Sequence, residues 1–105
     1  MLPERKVLQE IVKFAKREYR EKQPSKVQVL RIKNETIFVK GDPFKRINIA
    51  QSSHPHYLVV VKYDKNIRIY FFSKSGVLLG GENFDITPLL TNIIKRNTVK
   101  EYSIE

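Results

Sequence analysis

Basic side chains crowd the first part of the chain at spacings that place them on one side of a helix. When residues 4–22 are placed on a helical wheel at about 100° per residue, six basic side chains share one arc of about 120°. They are Arg5, Lys6, Lys13, Lys16, Arg17 and Arg20, the basic ridge. The acidic side chains of this segment lie off the arc, whereas a helix that uses charge only for its own stability interleaves both signs. Because Lys and Arg bind phosphate oxygens, the pattern predicts an anion-binding face, with a merely solvated helix face as the alternative.

A second set of candidate contact residues lies on a predicted hairpin at 57–73. A three-residue loop at 64–66 would place Lys62 opposite Arg68, beside the ring of Tyr70, and would leave the other side of the hairpin wholly apolar. Two cations next to an aromatic ring suit a phosphate and a stacked base. If Tyr70 packs beneath a helix instead, the nucleic-acid site reduces to the basic ridge.

The histidines and glycines give little support to a metal or nucleotide-phosphate site. His54 and His56 form an i, i+2 pair, but Pro55 marks a loop and the chain has no cysteine to complete a ligand set. The glycines of segment 76–81 flank a predicted short strand at 77–79, while phosphate-binding loops need their glycines directly before a helix. We therefore expect solvated loop histidines, turn glycines and no cofactor.

Carboxylates spread along the chain raise the question of a metal-dependent nuclease, in which clustered acids hold Mg²⁺. The candidates are Glu10, Asp42, Asp64 and Glu82. The order of elements over 4–73, with a helix, a hairpin, a short helix and a strand, resembles the restriction-endonuclease-like nucleases. That family carries Glu-x-Lys on a strand, and here Gln28 and Leu30 stand at those places. The resemblance therefore implies a site without its catalytic motif.

The hairpin at 57–73, in a small basic domain, also resembles ribonuclease toxins of the RelE type. The resemblance implies an N-terminal helix packed on an antiparallel sheet. It also implies that comparable catalytic roles would fall to Lys62, Arg68, Tyr70 and His56. No motif in the chain names a reaction, so we expect a binding protein and keep an enzyme acting on nucleic acid as the alternative.

The elements that position these residues follow from apolar periodicity and turn residues. Pro3 and apolar positions at spacings of three and four predict a helix over 4–22 that ends at 23–25. Its core-facing positions are Val7, Leu8, Ile11, Val12, Phe14, Ala15 and Tyr19. Runs rich in Val, Ile, Phe and Tyr predict strands over 26–33, 36–40, 57–63, 67–73 and 77–79. A tight turn is expected at 34–35 and a break in the chain at 80–83. Segment 44–51 fits a short helix, with a strand as the alternative because Ile47 and Ile49 alternate.

The last part of the chain predicts a second helix over 85–97 and an edge strand over 99–104. Thr87 is the expected N-cap and Pro88 the first helical residue. The buried face should comprise Leu89, Leu90, Ile93 and Ile94. The fold class is therefore α+β: one domain over 1–105, with an N-terminal amphipathic helix on a mainly antiparallel sheet of about four to six strands. The edge strand would also offer a pairing edge for a homodimer.

Charge and composition narrow the classes of partner that the protein can have. The 105 residues include 20 Lys and Arg against 11 Asp and Glu, a net charge of +9. Ten of the basic and four of the acidic side chains lie in residues 1–33, while residues 74–105 carry no net charge. No apolar run is long enough for a membrane span or a secretory signal, and cysteine is missing, so we expect an intracellular, cytoplasmic protein without a membrane partner. The predicted function is nucleic-acid binding with little base specificity; an acidic protein partner would use the same ridge.

Overall fold

In the described part of the chain, five antiparallel strands form one sheet with a helix on each face. The computed structural model describes residues 3–33 and 55–104, apart from the side chain of residue 103. Its elements are α1 Glu4–Lys22, β1 Lys26–Ile32, β2 Tyr57–Lys62, β3 Asn66–Phe72, β4 Leu78–Asp85, α2 Pro88–Asn97 and β5 Thr98–Ser103. The strand order is β4-β3-β2-β1-β5, which puts β2 in the centre and β5 at an edge of the described sheet. The predicted α+β class, the number of strands and the second helix are confirmed.

Helix α1 has the predicted bounds and buries Val7, Ile11 and Ala15 against the sheet. It ends where Gln23 adopts a left-handed conformation, φ 48°, and donates its N–H to the carbonyl of Tyr19. Tyr19 was expected in the core but is 43% exposed, and Glu18 takes the buried position at 7% exposed. Glu18 lies three residues after Ala15 and seven after Ile11, so helical geometry places it on the buried stripe.

The register of the β2–β3 hairpin differs from the prediction by one residue. The loop contains two residues, and the N–H of Tyr63 donates to the carbonyl of Asn66 at 2.9 Å. Lys62 therefore pairs with Ile67, and Val61 pairs with Arg68. A slip of one residue moves every side chain of one strand to the other face of the sheet. The predicted opposition of Lys62 and Arg68 is wrong: they lie on opposite faces.

The two faces of the sheet carry separate core clusters. The face that α1 covers, the α1 face, is lined by Val27, Val29, Tyr57, Val59, Val61, Tyr70 and Phe72. The face that packs on Leu90 and Ile93 of α2, the α2 face, is lined by Leu30, Ile32, Leu58, Val60, Ile67, Ile69, Phe71 and Phe84. Because both faces of β2 are buried, its sequence is an almost continuous apolar run.

Strand β4 runs through the glycines at which the sequence predicted a break. Gly81 lies opposite Tyr70, and a Cβ atom there would approach Tyr70 Cδ1 to 2.9 Å, so the ring occupies the place of a side chain. Gly76, with φ 88°, forms the expected turn after β3. The strand continues because glycine allows the aromatic ring to lie across it.

Helix α2 is shorter than predicted and begins at Pro88. Thr87 caps it as expected, accepting a hydrogen bond from the N–H of Leu90 at 3.1 Å. Leu90 and Ile93 are buried, but Leu89, expected on the same face, is 55% exposed. The described segments contain no helix long and apolar enough to cross a membrane. The predictions for 34–35, 36–40 and 44–51 lie outside the described residues.

Candidate functional site

All six side chains of the basic ridge are exposed on α1. Lys13 forms an ion pair with Glu10 at 3.3 Å, but both side chains are mostly solvated, so the pair contributes little energy and yields readily to another anion. The ridge projects from the helix because the opposite stripe of α1 is occupied by the core.

An open groove of about 710 Å³ runs between α1 and the neighbouring edge of the sheet. Its residues are Glu4, Arg5, Leu8, Gln9, Val12, Lys13, Lys16, Arg31, Lys100 and Tyr102. Three cations come from the basic ridge and two from the sheet, where Arg31 on β1 pairs with Lys100 on β5. Lys6, Arg17 and Arg20 of the ridge lie outside the groove. The cations that line the groove thus come from elements far apart in sequence.

Apolar and aromatic side chains line the groove between its cations. Leu8 and Val12 of α1 are half-buried, as is Tyr102 of β5, and all three pack against the α1-face core. The Nζ atom of Lys100 lies 5.1 Å from the centroid of the Tyr102 ring, within range of a cation–π contact. An aromatic ring and two aliphatic chains are therefore surrounded by positive charge.

Glu4, the one carboxylate among the described residues that line the groove, is engaged by two donors. Its Oε1 atom accepts from Arg31 Nη1 at 3.3 Å and from the Tyr57 hydroxyl at 3.2 Å. Burial, followed by the charge of Glu4, raises the pKa of Tyr57 to about 12, so the hydroxyl remains a donor at neutral pH. The carboxylate is held in place at the start of α1, and Arg31 is positioned at the groove.

Tyr70, predicted as a stacking ring, is buried beneath α1 at 7% exposed. The ring meets Phe14 edge-on at 4.9 Å between centroids, and its hydroxyl accepts hydrogen bonds from Arg68 Nε at 3.0 Å and Lys22 Nζ at 3.2 Å. The hydrogen bond to Tyr70, together with that to the buried Glu18, raises the pKa of Lys22. Of the two alternatives for Tyr70 the structure shows the second, because the register turns this ring towards the helix.

Lys62 lies away from the basic ridge, on the α2 face. It borders a smaller groove of about 290 Å³ beside Thr91, Lys95 and Glu101. Glu101 also accepts a hydrogen bond from Gln28 Nε2 at 2.6 Å. The structure thus brings Arg68 and Tyr70 together beneath α1 and leaves Lys62 on the other side of the sheet.

Among the described residues, the catalytic arrangements implied by the two family resemblances are not assembled. His56 precedes β2 and Lys62 ends it, which separates them by about 20 Å at the rise of a strand. Asp64 accepts a hydrogen bond from Ser25 in a turn, and Glu10 lies on the outer side of α1. The described segments hold no group of three His, Asp or Glu residues that could bind a metal. Asp42 and His54 lie outside them.

Sequence reasoning missed three groove residues, Arg31, Lys100 and Tyr102. A local signal existed, because Lys100 and Tyr102 are two residues apart on a predicted strand and so share a face. The strand that pairs with them could not be predicted from the sequence, because the pairing of β1 with β5 joins residues about seventy positions apart.

Comparisons with protein-family models, curated proteins and solved structures gave no significant match to the chain.

Proposed function

We propose that the protein binds nucleic acid by holding phosphates along the groove and the adjoining basic ridge. The observation that supports this most directly is the convergence of five cations on one groove from both α1 and the sheet. Glu4, the single acid among the described lining residues, is already bound by Arg31 and Tyr57. A row of exposed Lys and Arg side chains beside an open channel suits a polyanion with regularly spaced charges.

A lipid surface fits the helix less well than nucleic acid does. An interfacial helix inserts its apolar side into the membrane, and in α1 that side is taken by the contacts of Val7, Ile11 and Ala15 with the sheet. The remaining apolar residues at the groove, Leu8 and Val12, are half-buried. The exposed surface of α1 is thus charged, and it suits the surface of a soluble polyanion.

The groove cations carry no visible pattern for reading base edges. Phosphate contacts position a protein on nucleic acid without specifying sequence, so we expect little base specificity. If four to six cations met phosphates on duplex DNA, the logarithm of the binding constant would fall with the logarithm of salt concentration at a slope of roughly −4 to −5. Such a slope distinguishes phosphate binding from nonionic association.

Fluorescence anisotropy with labelled duplex DNA, single-stranded DNA and RNA at about 50 and 200 mM salt tests the proposal. We expect binding at low salt that weakens steeply at high salt. A dissociation constant above about 100 μM at low salt, or one independent of salt, would reject the proposal.

A pair of charge-matched variants locates the contact. Substituting Arg5, Lys13 and Lys16 together with glutamine should weaken binding and lower the salt slope by about 2 to 3. The same substitution at Lys74, Lys95 and Arg96, which are exposed elsewhere, removes equal charge and should have a small effect. Equal losses in the two variants would show that net charge alone is responsible.

Two further readouts separate the alternatives with the same reagents. If polyglutamate displaces the oligonucleotides at equal charge concentration, the groove is a site for acidic proteins as well. Gel analysis of the oligonucleotides after incubation shows whether any is cleaved. Intact substrates are the expected result, because the described residues assemble neither of the implied catalytic sets.

A further inference from the structure

We infer that the groove is selective for single-stranded nucleic acid, with an unpaired base stacked on Tyr102 between the phosphate-binding cations. This inference rests on the proposed nucleic-acid function and names the form of the ligand. It depends on the position of one aromatic ring in the groove.

Tyr102 lines the groove and is half-buried, and the exposed Lys100 side chain over its ring must swing aside for a base to stack there. The backbone of Tyr102 pairs with Val29 on β1, which directs the side chain to the α1 face, beyond the strands that α1 covers most closely. Leu8 and Val12 form the neighbouring wall on the helix. A base lying on the ring would thus have aliphatic side chains beside it, and the groove volume of about 710 Å³ falls within the range of small-ligand sites.

Cations flank this ring on both sides of the groove. Lys100 lies two residues before Tyr102 on the same strand, and Arg31 lies across from Lys100 on β1. On the helix, Lys13 and Lys16 line the opposite side. A strand passing through the groove could place a base on the ring while its neighbouring phosphates meet these side chains, which is the usual arrangement in single-strand binding proteins.

A duplex cannot use the ring in the same way. Its bases are paired and stacked on one another, so it presents phosphates and groove edges to the protein. It would meet the protruding cations of α1 and leave the recessed Tyr102 without a partner. A single strand gains both contacts, and the difference between the two ligands measures the contribution of the ring.

The absence of tryptophan from the chain provides a specific probe of this contact. Tyr102→Trp introduces a single indole at the groove, and its fluorescence should be quenched by single-stranded DNA or RNA of about 12 nucleotides. The matched duplex should bind with little quenching. Leu89→Trp, exposed on α2 and outside both the groove and the basic ridge, is the control and should show little quenching with any of these ligands.

Truncation of the ring measures its effect on affinity. Tyr102→Ala should weaken single-strand binding by about 5- to 150-fold, the range for losing one stacked base, while Tyr102→Phe should retain binding. Duplex binding by Tyr102→Ala should stay unchanged, which also shows that the variant is folded. Tyr102→Phe shows whether the hydroxyl matters.

The outcomes separate this inference from the proposal on which it rests. If Tyr102→Ala binds single strands and duplexes as the parent protein does, or if both ligands quench Tyr102→Trp equally, base stacking is rejected and phosphate binding stands. If no nucleic acid binds the parent protein at low salt, both are rejected. Single-stranded DNA and RNA share the stacking chemistry, and their relative affinities show which of them the groove prefers.

Discussion

The two faces of the sheet hold their helices by different contacts. On the α2 face the cluster is entirely aliphatic or phenylalanine, and the helix contributes Leu90 and Ile93 to it. On the α1 face two buried tyrosines extend their hydroxyls to charged groups. Tyr57 donates to Glu4 near the start of α1, and Tyr70 accepts from Lys22 near its end. Apolar burial has no preferred direction, whereas these hydrogen bonds fix the helix at both ends.

This difference assigns distinct roles to the two faces. The α2 face supplies burial, the main favourable contribution to folding. The α1 face adds orientation, and the groove depends on it because α1 carries Arg5, Lys13 and Lys16 towards the strands that carry Arg31 and Lys100. We therefore expect changes on the α2 face to lower stability most. Changes on the α1 face should have smaller effects on stability and alter how the helix is held.

The largest effect is expected from Phe71→Ala on the α2 face. Phe71 is fully buried, so the substitution removes apolar contacts and leaves a cavity. The free energy of unfolding should fall by about 3–5 kcal/mol, measured by urea denaturation. Phe71→Leu is the conservative control and should lose far less. A loss below about 1 kcal/mol for the alanine variant would contradict the central role of this face.

A smaller loss is expected from Gly81→Ala, which tests the close approach of strand β4 to the α1-face core. The new Cβ atom would lie 2.9 Å from Tyr70 Cδ1 and 3.3 Å from the carbonyl oxygen of Ile69, so the ring must move. Overpacking of this kind costs about 1–3 kcal/mol in the free energy of unfolding. Asn83→Ala on the same strand is exposed and serves as the control. Equal stability of the two variants would show that the ring shifts without cost.

The same glycine shows how far the sequence could be interpreted. Local signals predicted α1 from its 3.6-residue period and the start of α2 from Thr87 and Pro88. They could not predict that Gly81 continues a strand, because the reason is a ring on the neighbouring strand. The hairpin register depended on whether its loop had two or three residues, and that choice alone moved Arg68 and Tyr70 to the α1 face.

The candidate site was predictable only in part for the same reason. The basic ridge is a property of one helix, so its periodicity is visible in the sequence. The groove requires β5 to pair with β1, and such a pairing depends on the packing of the whole sheet. The sequence therefore pointed to Tyr70, which is buried, and not to Tyr102, which is half-buried at the groove.

Tyr70→Phe tests the attachment at the end of α1 directly. It keeps the ring against Phe14 and removes the hydroxyl that accepts from Lys22 and Arg68. Because Lys22 is partly solvated, we expect a loss of about 1 kcal/mol in the free energy of unfolding. Tyr19→Phe, at an exposed position on the same helix, should change nothing. If Tyr70→Phe is as stable as the parent protein, the hydroxyl does not hold the helix.

The smallest effect concerns pH and the charges around His56, next to the start of β2. Burial lowers the pKa of His56, and the positive charges of Arg31 and Lys74 lower it further, while Glu4 opposes them. Because the folded protein binds this proton less tightly than the unfolded chain, stability is greatest above the ordinary histidine pKa of about 6.5. It should decrease as the pH falls from there through the lowered pKa.

Urea denaturation between about pH 7.5 and 5 should show this decrease in the parent protein and a shallower one in His56→Gln. Phe71→Leu, on the other face, should lower the free energy of unfolding by the same amount at every pH, because it removes no titrating group. If the free energy of unfolding of His56→Gln changes with pH in parallel with that of the parent protein, a group other than His56 is responsible for the pH dependence. A profile that flattens in His56→Gln but not in Phe71→Leu would assign the pH response to His56 and its charged neighbours, since apolar burial on the α2 face does not titrate.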